Sequence, residues 1–429
     1  MGILLVVMFI GFIALGVPIS FALGLVSFTG IAFLDGIPNM VVFTKMFNGL
    51  GSFTLLAVPL FILAANLMNE GSISNRLIDV SNSLVGHVRG GLAHSNVLVS
   101  MIFAGISGSS QADTAGIGKV LIPAMKEEGY DDETAVGVTA ASSTLGSIIP
   151  PSITMVVYAG IANVSTGGLF MSGLLPGILL GLAQMAVIVY YSKRKNFPKG
   201  PKLQTGVVVH KLLGALPALI TPIILIGGIV TGLFTPTEAA AIACLYALAI
   251  SMLFYRSIKP KDLPRILVET LKLSSLSLFA LATANALGEL MSYYRLNEAV
   301  QGFFTSVPGG QFLFLVVVVF FFLFIGTFMD AVPAMILFVP IVLPSALALG
   351  ISPIILGLIV VVTLSLGLVT PPYGLCLLLA SSISGISIER AFRGVLPYLL
   401  ASLAVLLIVV IFPNFFLDVP KALFPMLYR

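Results

Sequence analysis

Only two Pro-Pro steps occur in this chain of 429 residues, and each follows a glycine by four residues, in Gly146-Ser-Ile-Ile-Pro150-Pro151 and Gly367-Leu-Val-Thr-Pro371-Pro372. The match extends upstream. Gly129 precedes the first pair by the interval at which Gly350 precedes the second, and Asp113 precedes Pro123 as Asp330 precedes Pro340. A segment of roughly 107–160 is thus written twice, the second time as roughly 325–381, with about four extra residues before Gly350. Proline lacks a backbone donor and disfavours helical geometry in the residue before it, so each double proline breaks a helix. A Gly/Pro-broken apolar segment recurring in two halves of a chain is the pattern of a transporter's binding site.

Lipid is the solvent for such a chain. Hydrophobic residues make up 58% of it and charged residues 9%, against about a quarter charged in a soluble domain. The apolar runs are continuous and do not alternate, which disfavours a β-barrel. The N-terminal run lacks a basic flank and reads as a retained first span, not a cleaved signal. Cys244 and Cys376 stand in apolar segments far apart and read as buried space-fillers. The net charge of +4 implies no nucleic-acid partner, because the basic residues sit at membrane flanks.

Those residues set the topology. Lys193, Arg194, Lys195, Lys199, Lys202 and Lys211 fill one polar loop, and Arg256, Lys259, Lys261, Arg265 and Lys272 form a second cluster; both are assigned to the cytoplasm. Propagation outward places Arg76, Arg89, Lys126, Arg390 and Arg393 on the same side, with Lys45, Arg295, Lys421 and Arg429 as exceptions. The N-terminus falls inside and the C-terminus outside. This scheme requires a hairpin over about 92–127 to enter and leave on the cytoplasmic face and a second over about 311–348 to do so on the outer face, its ends bracketed by 306–311 and 347–352.

The expected fold class is an all-α polytopic membrane protein. It contains inverted-topology repeats, two re-entrant helical hairpins and two broken transmembrane helices. The first repeat spans 1–192 (hairpin about 92–127, broken span about 131–163), a cytoplasmic loop covers 193–211, and the second repeat spans 212–429 (hairpin about 311–348, broken span about 353–383). The remaining spans are expected near 3–31, 49–69, 171–192, 212–233, 236–255, 272–292 and 395–417. Interfacial helices are expected at 72–90 and 294–305.

The chemistry follows from the breaks. Carbonyls freed at helix C-terminal ends are hard oxygen ligands for a cation, while a restarting helix offers N–H groups to an anion. One Na⁺ site is assigned to each repeat. Site 1 comprises Ser107, Gly108, Ser110, Ser143 and Gly146; site 2 comprises Gly326, Met329, Thr363 and Gly367. Candidate substrate contacts are Ser109, Ser110, Gln111, Thr144, Ser147, Thr327, Thr370, Pro150 and Pro371. Asp113 and Asp330 are either proton carriers or N-caps of the returning hairpin helices, and the cap is preferred; on that reading Asn at either position largely preserves transport. Lys119 either holds an anion or reaches for the cytoplasmic face. Close packing of small residues explains any one of these positions, but does not require the breaks to recur in register.

Three other classes compete. Gly105-Ile-Ser107-Gly108 matches the nucleophile motif of rhomboid intramembrane proteases, yet His87, His94 and His210 offer no base on another span, so an enzyme is not expected. A passive channel needs no inverted, ion-binding breaks. A stand-alone Na⁺/dicarboxylate symporter shares the repeat logic.

Gly-Ser-Ser-Gln-Ala-Asp-Thr at 108–114, Ala-Ala-Ser-Ser-Thr-Leu-Gly-Ser-Ile-Ile-Pro-Pro-Ser at 140–152 and Thr-Pro-Pro-Tyr-Gly at 370–374 resemble the large membrane subunit of tripartite ATP-independent periplasmic (TRAP) transporters. The likeness covers essentially the whole chain, and the sialic-acid (N-acetylneuraminate) type is nearest. It implies a bacterial inner-membrane importer coupled to Na⁺, with no cofactor and no ATPase. The expected partners are a small four-span membrane subunit (Q subunit), expected to be a separate chain, and a periplasmic substrate-binding protein (P subunit). It further implies an elevator motion of hairpins and broken spans against a scaffold. A C4-dicarboxylate is the alternative cargo.

Overall fold

The computed structural model describes residues 2–34, 37–51, 53–71, 73–200, 202–305 and 309–428. The bracket at 306–311 lies partly, and Arg429 wholly, outside the described residues. Among those described there is no β-strand, only an isolated antiparallel bridge between Arg89 and Lys199.

The first part of the chain comprises α1 (Gly2–Ala14), α2 (Ile19–Ala32), α3 (Met40–Leu50), α4 (Ala57–Glu70) and α5 (Ile73–Val85). The single span expected over 3–31 is two helices. Gly16 adopts φ +80° and Pro18 caps α2, so the helix stops and the chain folds back. A Cβ on Gly30 in α2 would lie 2.9 Å from the side chain of Leu5 in α1, which makes the pair an antiparallel hairpin. The amphipathic α3 was not foreseen.

The first hairpin is α6 (Gly91–Ser107) and α7 (Ser110–Glu127). The first broken span is α8 (Asp132–Ser143), a 3₁₀ turn (Thr144–Ser147) and α9 (Ile153–Ala162), followed by α10 (Thr166–Arg194). Then come α11 (Thr205–Val230), α12 (Pro236–Ala249) with a π turn (Ile250–Phe254), α13 (Leu263–Tyr293) and α14 (Leu296–Thr305). The second hairpin is α15 (Gly310–Gly326) and α16 (Ala331–Ala348). The second broken span is α17 (Pro353–Gly367) and α18 (Leu375–Ser384), followed by α19 (Ile388–Ile411) and α20 (Pro413–Leu423). The last span therefore ends at Ile411, where Phe412 leaves helical geometry; it does not run on to 417.

Six of the described helical segments are long and apolar enough to cross a bilayer, namely α10, α11, α12 with its π turn, α13, α16 and α19. Their exposed large apolar side chains, such as Leu213, Ile223, Leu271, Leu400 and Leu407, are where lipid contacts the protein. The half-span helices α8, α9, α17 and α18, at 12, 10, 15 and 10 residues, are each too short to cross alone.

One face gathers the basic loops. Asp131, Asp132 and Glu133 open α8, and each pairs with a different element: Lys195 after α10 at 2.9 Å, Lys126 in α7 at 2.9 Å and Arg390 in α19 at 3.1 Å. Lys211–Asp79 (3.0 Å) and Arg265–Glu70 (2.6 Å) add α5, α11, α4 and α13 to that face. The first hairpin is rooted there too, since Gly90 N–H donates to Pro198 O at 3.0 Å. The second is closed at the opposite end by Gln311 Nε2 donating to Leu349 O at 2.8 Å. Tyr158 Oη in α9, beyond the first break, donates to Pro353 O just after the second hairpin at 2.7 Å, so that hairpin's base lies at the far end of the first broken span and the two hairpins enter from opposite faces.

The repeats are interleaved. The returning helix α7 packs on α8 and on α18 of the other repeat, while α16 packs on α17 and on α9; α8 likewise meets α19, and α17 meets α10. At the α8–α19 crossing the backbones touch. A Cβ on Gly137 would overlap Gly394 O, and one on Gly394 would meet the backbone of Glu133. Gly137→Leu is expected to destabilise the protein by about 1–3 kcal/mol or more, read as a lower melting temperature in detergent. Gly206→Ala, at a helical site with nothing within 4 Å, should leave it unchanged or slightly raised.

Candidate functional site

Each hairpin tip is seated in the break of its own repeat. In the first, α6 ends at Gly108 with φ +60° and α7 starts behind Ser109, whose hydroxyl accepts from Ala112 N–H. Across from this tip α8 ends and gives way to the 3₁₀ turn, and α9 restarts behind Ser152, whose hydroxyl accepts from Met155 N–H. The peptide Pro150-Pro151 is cis, as is Pro371-Pro372. Tip and break are joined by Ile153 N–H donating to Gly108 O at 3.1 Å and by the Ser110 and Ser147 hydroxyls at 2.6 Å. Contact is too close for larger residues. A Cβ on Gly108 would lie 2.8 Å from Pro151 O, and one on Gly146 would lie 3.0 Å from the Ser109 carbonyl.

The second site is built alike. Tyr373 N–H, just past the second double proline, donates to Thr327 O of the tip at 2.9 Å. Gly326 and Gly367 meet backbone to backbone, so that a Cβ on Gly367 would be 2.8 Å from Gly326 Cα. Thr363 is buried one helical turn before Gly367, its hydroxyl donating to Ile359 O at 2.6 Å. Met329 is buried in the tip. Every residue assigned to a cation site by sequence therefore lies at one of the two tip-and-break junctions or on the helical turn leading into it.

Each junction collects two helix C-termini and two N-termini in a water-poor setting. The C-terminal ends carry partial negative charge and the N-terminal ends partial positive charge. The available donors are hydroxyl and carbonyl oxygens, the ligand type of a hard cation. Among the described residues no group of three His, Cys, Asp or Glu side chains is placed to hold a metal.

The two aspartates differ. Asp330 caps α16, its carboxylate accepting from Ala331 N–H at 2.9 Å and from Gln111 Nε2 at 3.3 Å. The cap assigned to Asp113 belongs instead to Ser109. Asp113 lies within the first turn of α7, because the first tip has two linking residues where the second has four, and the helix begins at Ser110. Its side chain is fully buried. Ser100 and Ser143 stand beside it, but their hydroxyls donate to Ser142 Oγ and Thr139 O, and no hydrogen bond of sound geometry reaches either carboxylate oxygen. An unpaired carboxylate in such a place demands a cation or a proton.

The Gln111–Asp330 bond also joins the two tips, which sequence spacing alone did not reveal. Cys376 of α18 lies near both carboxylates, and both cysteines are free and buried. Around this meeting point Ser109, Gln111, Thr327, Thr370 and Pro371 are half-buried. Ser110, Thr144, Ser147 and Pro150 are buried instead; they face the packed break, not an accessible surface. Lys119 is exposed on α7, about 13 Å of helix from the tip.

Comparison with known proteins bears on this arrangement. Residues 6–415 match the family model described as the tripartite ATP-independent periplasmic transporter, DctM component. The chain is 35% identical to the sialic acid TRAP transporter large permease SiaM of Vibrio cholerae, over 96% of each protein. It is 38% identical to the C4-dicarboxylate TRAP transporter large permease DctM of Pseudomonas aeruginosa, over 88% of each. The crystal structure of the Alcanivorax borkumensis YdaH transporter superposes with a TM-score of 0.64, at 16% identity, covering 89% of this chain and 90% of that one; this similarity concerns fold alone. Large subunits of the matched family work with a small membrane subunit and a periplasmic binding protein, and they are transport subunits, not enzymes. The chain belongs to the DctM family and is the large permease subunit of a TRAP transporter of the bacterial inner membrane.

Proposed function

We propose that this subunit carries out Na⁺-coupled uptake of an organic acid anion, with N-acetylneuraminate as the expected substrate and a C4-dicarboxylate as the alternative. The observation that carries the Na⁺ reading is the pair of tip-and-break junctions, each lined by backbone and hydroxyl oxygens, with an unpaired carboxylate at the first. Ser107, Gly108, Ser110, Ser143 and Gly146 would hold one ion, and Gly326, Met329, Thr363 and Gly367 the other. Asp113 adds the anionic group of the first site, since a cation beside it removes the penalty of its burial.

The anion fits the half-open ground between the tips, where Ser109, Gln111, Thr327 and Thr370 offer donors near the start of α7 and the second break. Each ion then binds better when its tip is closed on its break, and a closed tip presents the polar groups to the substrate. The reciprocal coupling of ion and substrate follows from that shared closure. The subunit works with the small four-span membrane subunit and receives cargo from a periplasmic binding protein. The two repeats divide between α10 and α11, whose helices take up both ends of the loop expected over 193–211. The hairpins and broken spans move together, as an elevator, against a scaffold containing α1–α5 and α11–α14.

In proteoliposomes holding both membrane subunits, with binding protein outside, an inward Na⁺ gradient should raise initial uptake of labelled N-acetylneuraminate about tenfold over a K⁺ gradient, equivalent to ~1.4 kcal/mol in the barrier. Equal uptake in K⁺ would overturn Na⁺ coupling. Uptake of a labelled C4-dicarboxylate in place of the sialic acid would reassign the cargo. Transport that persists without binding protein would favour the stand-alone symporter.

The aspartates should separate in the same assay. Asp113→Asn is expected to raise the Na⁺ concentration for half-maximal uptake about tenfold, because the ion loses its only buried counter-charge. Asp330→Asn keeps an oxygen to cap α16 and should change it less than about threefold. Equal sensitivity to Na⁺ in the Asp113→Asn protein and the native one would remove Asp113 from the ion site.

A further inference from the structure

We propose that α20 lies in the headgroup layer of the leaflet opposite the basic loops, as an in-plane lipid anchor. Arg390 in the first turn of α19 is tied to Glu133 at 3.1 Å, on the face that gathers the Lys and Arg pairs. The 24 residues of α19 then carry the chain about 36 Å, which reaches the other face. Phe412, at φ −120° and ψ 53°, turns the path, and Pro413 starts α20, where its missing N–H leaves no donor unsatisfied. At 11 residues, about 17 Å, this helix is too short to cross a bilayer.

Its surface falls into three sectors at 100° per residue. Phe416 and Pro420 are buried against the protein, where α20 packs on α10 and α17. That face continues into the Pro425–Tyr428 turn, where Tyr428 Oη contacts Gly168 O at 2.8 Å and Ser172 Oγ at 2.9 Å. A second sector holds Phe412, Phe415, Val419 and Leu423, exposed by 59%, 54%, 36% and 68%. The third holds Asn414, Asp418 and Lys421, all exposed.

Two exposed sectors of opposite character on one short helix need two solvents. The apolar one continues the lipid-facing side of α19, through Leu407, Ile408 and Ile411, so the same bilayer covers both. The polar one lies on the far side from it and faces water. An amphipathic helix in that setting sits at the headgroup boundary with its apolar side in the acyl region.

The chain contains no Trp, so one introduced residue reports its own surroundings once the small subunit is made Trp-free. The complex of both membrane subunits is reconstituted in phosphatidylcholine vesicles with or without lipids brominated near the glycerol end of the chain. In Phe415→Trp and Val419→Trp the emission should be blue-shifted and quenched at least twofold by the brominated lipid, with little effect of iodide. Asp418→Trp should respond the other way. Phe415→Trp or Val419→Trp quenched by iodide and not by brominated lipid would place the helix in water. Shielding of both from either quencher would show that a protein surface covers this sector. Either result overturns the proposal.

Discussion

A helix broken within lipid leaves backbone groups that no solvent can satisfy, and this chain breaks two. Everything else at the centre of the molecule answers that constraint. A hairpin tip enters each break, and one peptide N–H beyond each double proline donates to a tip carbonyl, Ile153 to Gly108 and Tyr373 to Thr327. Glycines at 108 and 367 allow an approach that a Cβ would block, and those at 146 and 326 one that a Cβ would crowd. The seal that satisfies the backbone is also what brings hydroxyl and carbonyl oxygens together, so the stability of the breaks and the cation sites proposed for them have one physical origin.

Interleaving makes the two seals one unit. Each returning hairpin helix leans on the restarted half-helix of the other repeat, α7 on α18 and α16 on α9, and Gln111 reaches from one tip to the capping carboxylate of the other. The acidic start of α8 clamps three further elements at the basic face through Lys126, Lys195 and Arg390. These pairs are half-exposed and weak singly; their value is geometric, since they fix which helix ends share a face.

Much of this was legible in the residues because Gly and Pro act locally. The double prolines, the glycines before them and the paired aspartates mark the tips and breaks without any knowledge of tertiary contact, and the Lys and Arg clusters mark the face at which the first hairpin is rooted. What stayed hidden depends on partners far along the chain or on single dihedral angles. The Gln111–Asp330 bond joins positions 219 residues apart. Gly16 and Phe412 each turn the chain inside a run whose hydropathy is continuous, so two helices read as one span at both ends of the sequence. The spacing that makes Asp330 a cap also suggested one for Asp113, but the first tip closes earlier, and Ser109 takes the position. That shift leaves the Asp113 carboxylate buried without a partner, which no periodicity could have indicated.

The central claim is that cations complete the two tip-and-break junctions. A density map of the membrane complex at a resolution that shows bound ions, recorded in saturating Na⁺ and again in choline, tests it most directly. The account predicts, in Na⁺ alone, one density bounded by Ser110, Gly146 and Asp113 and another bounded by Gly326, Thr363 and Gly367. Empty junctions in Na⁺, with the Asp113 carboxylate paired to a protein group, would contradict it.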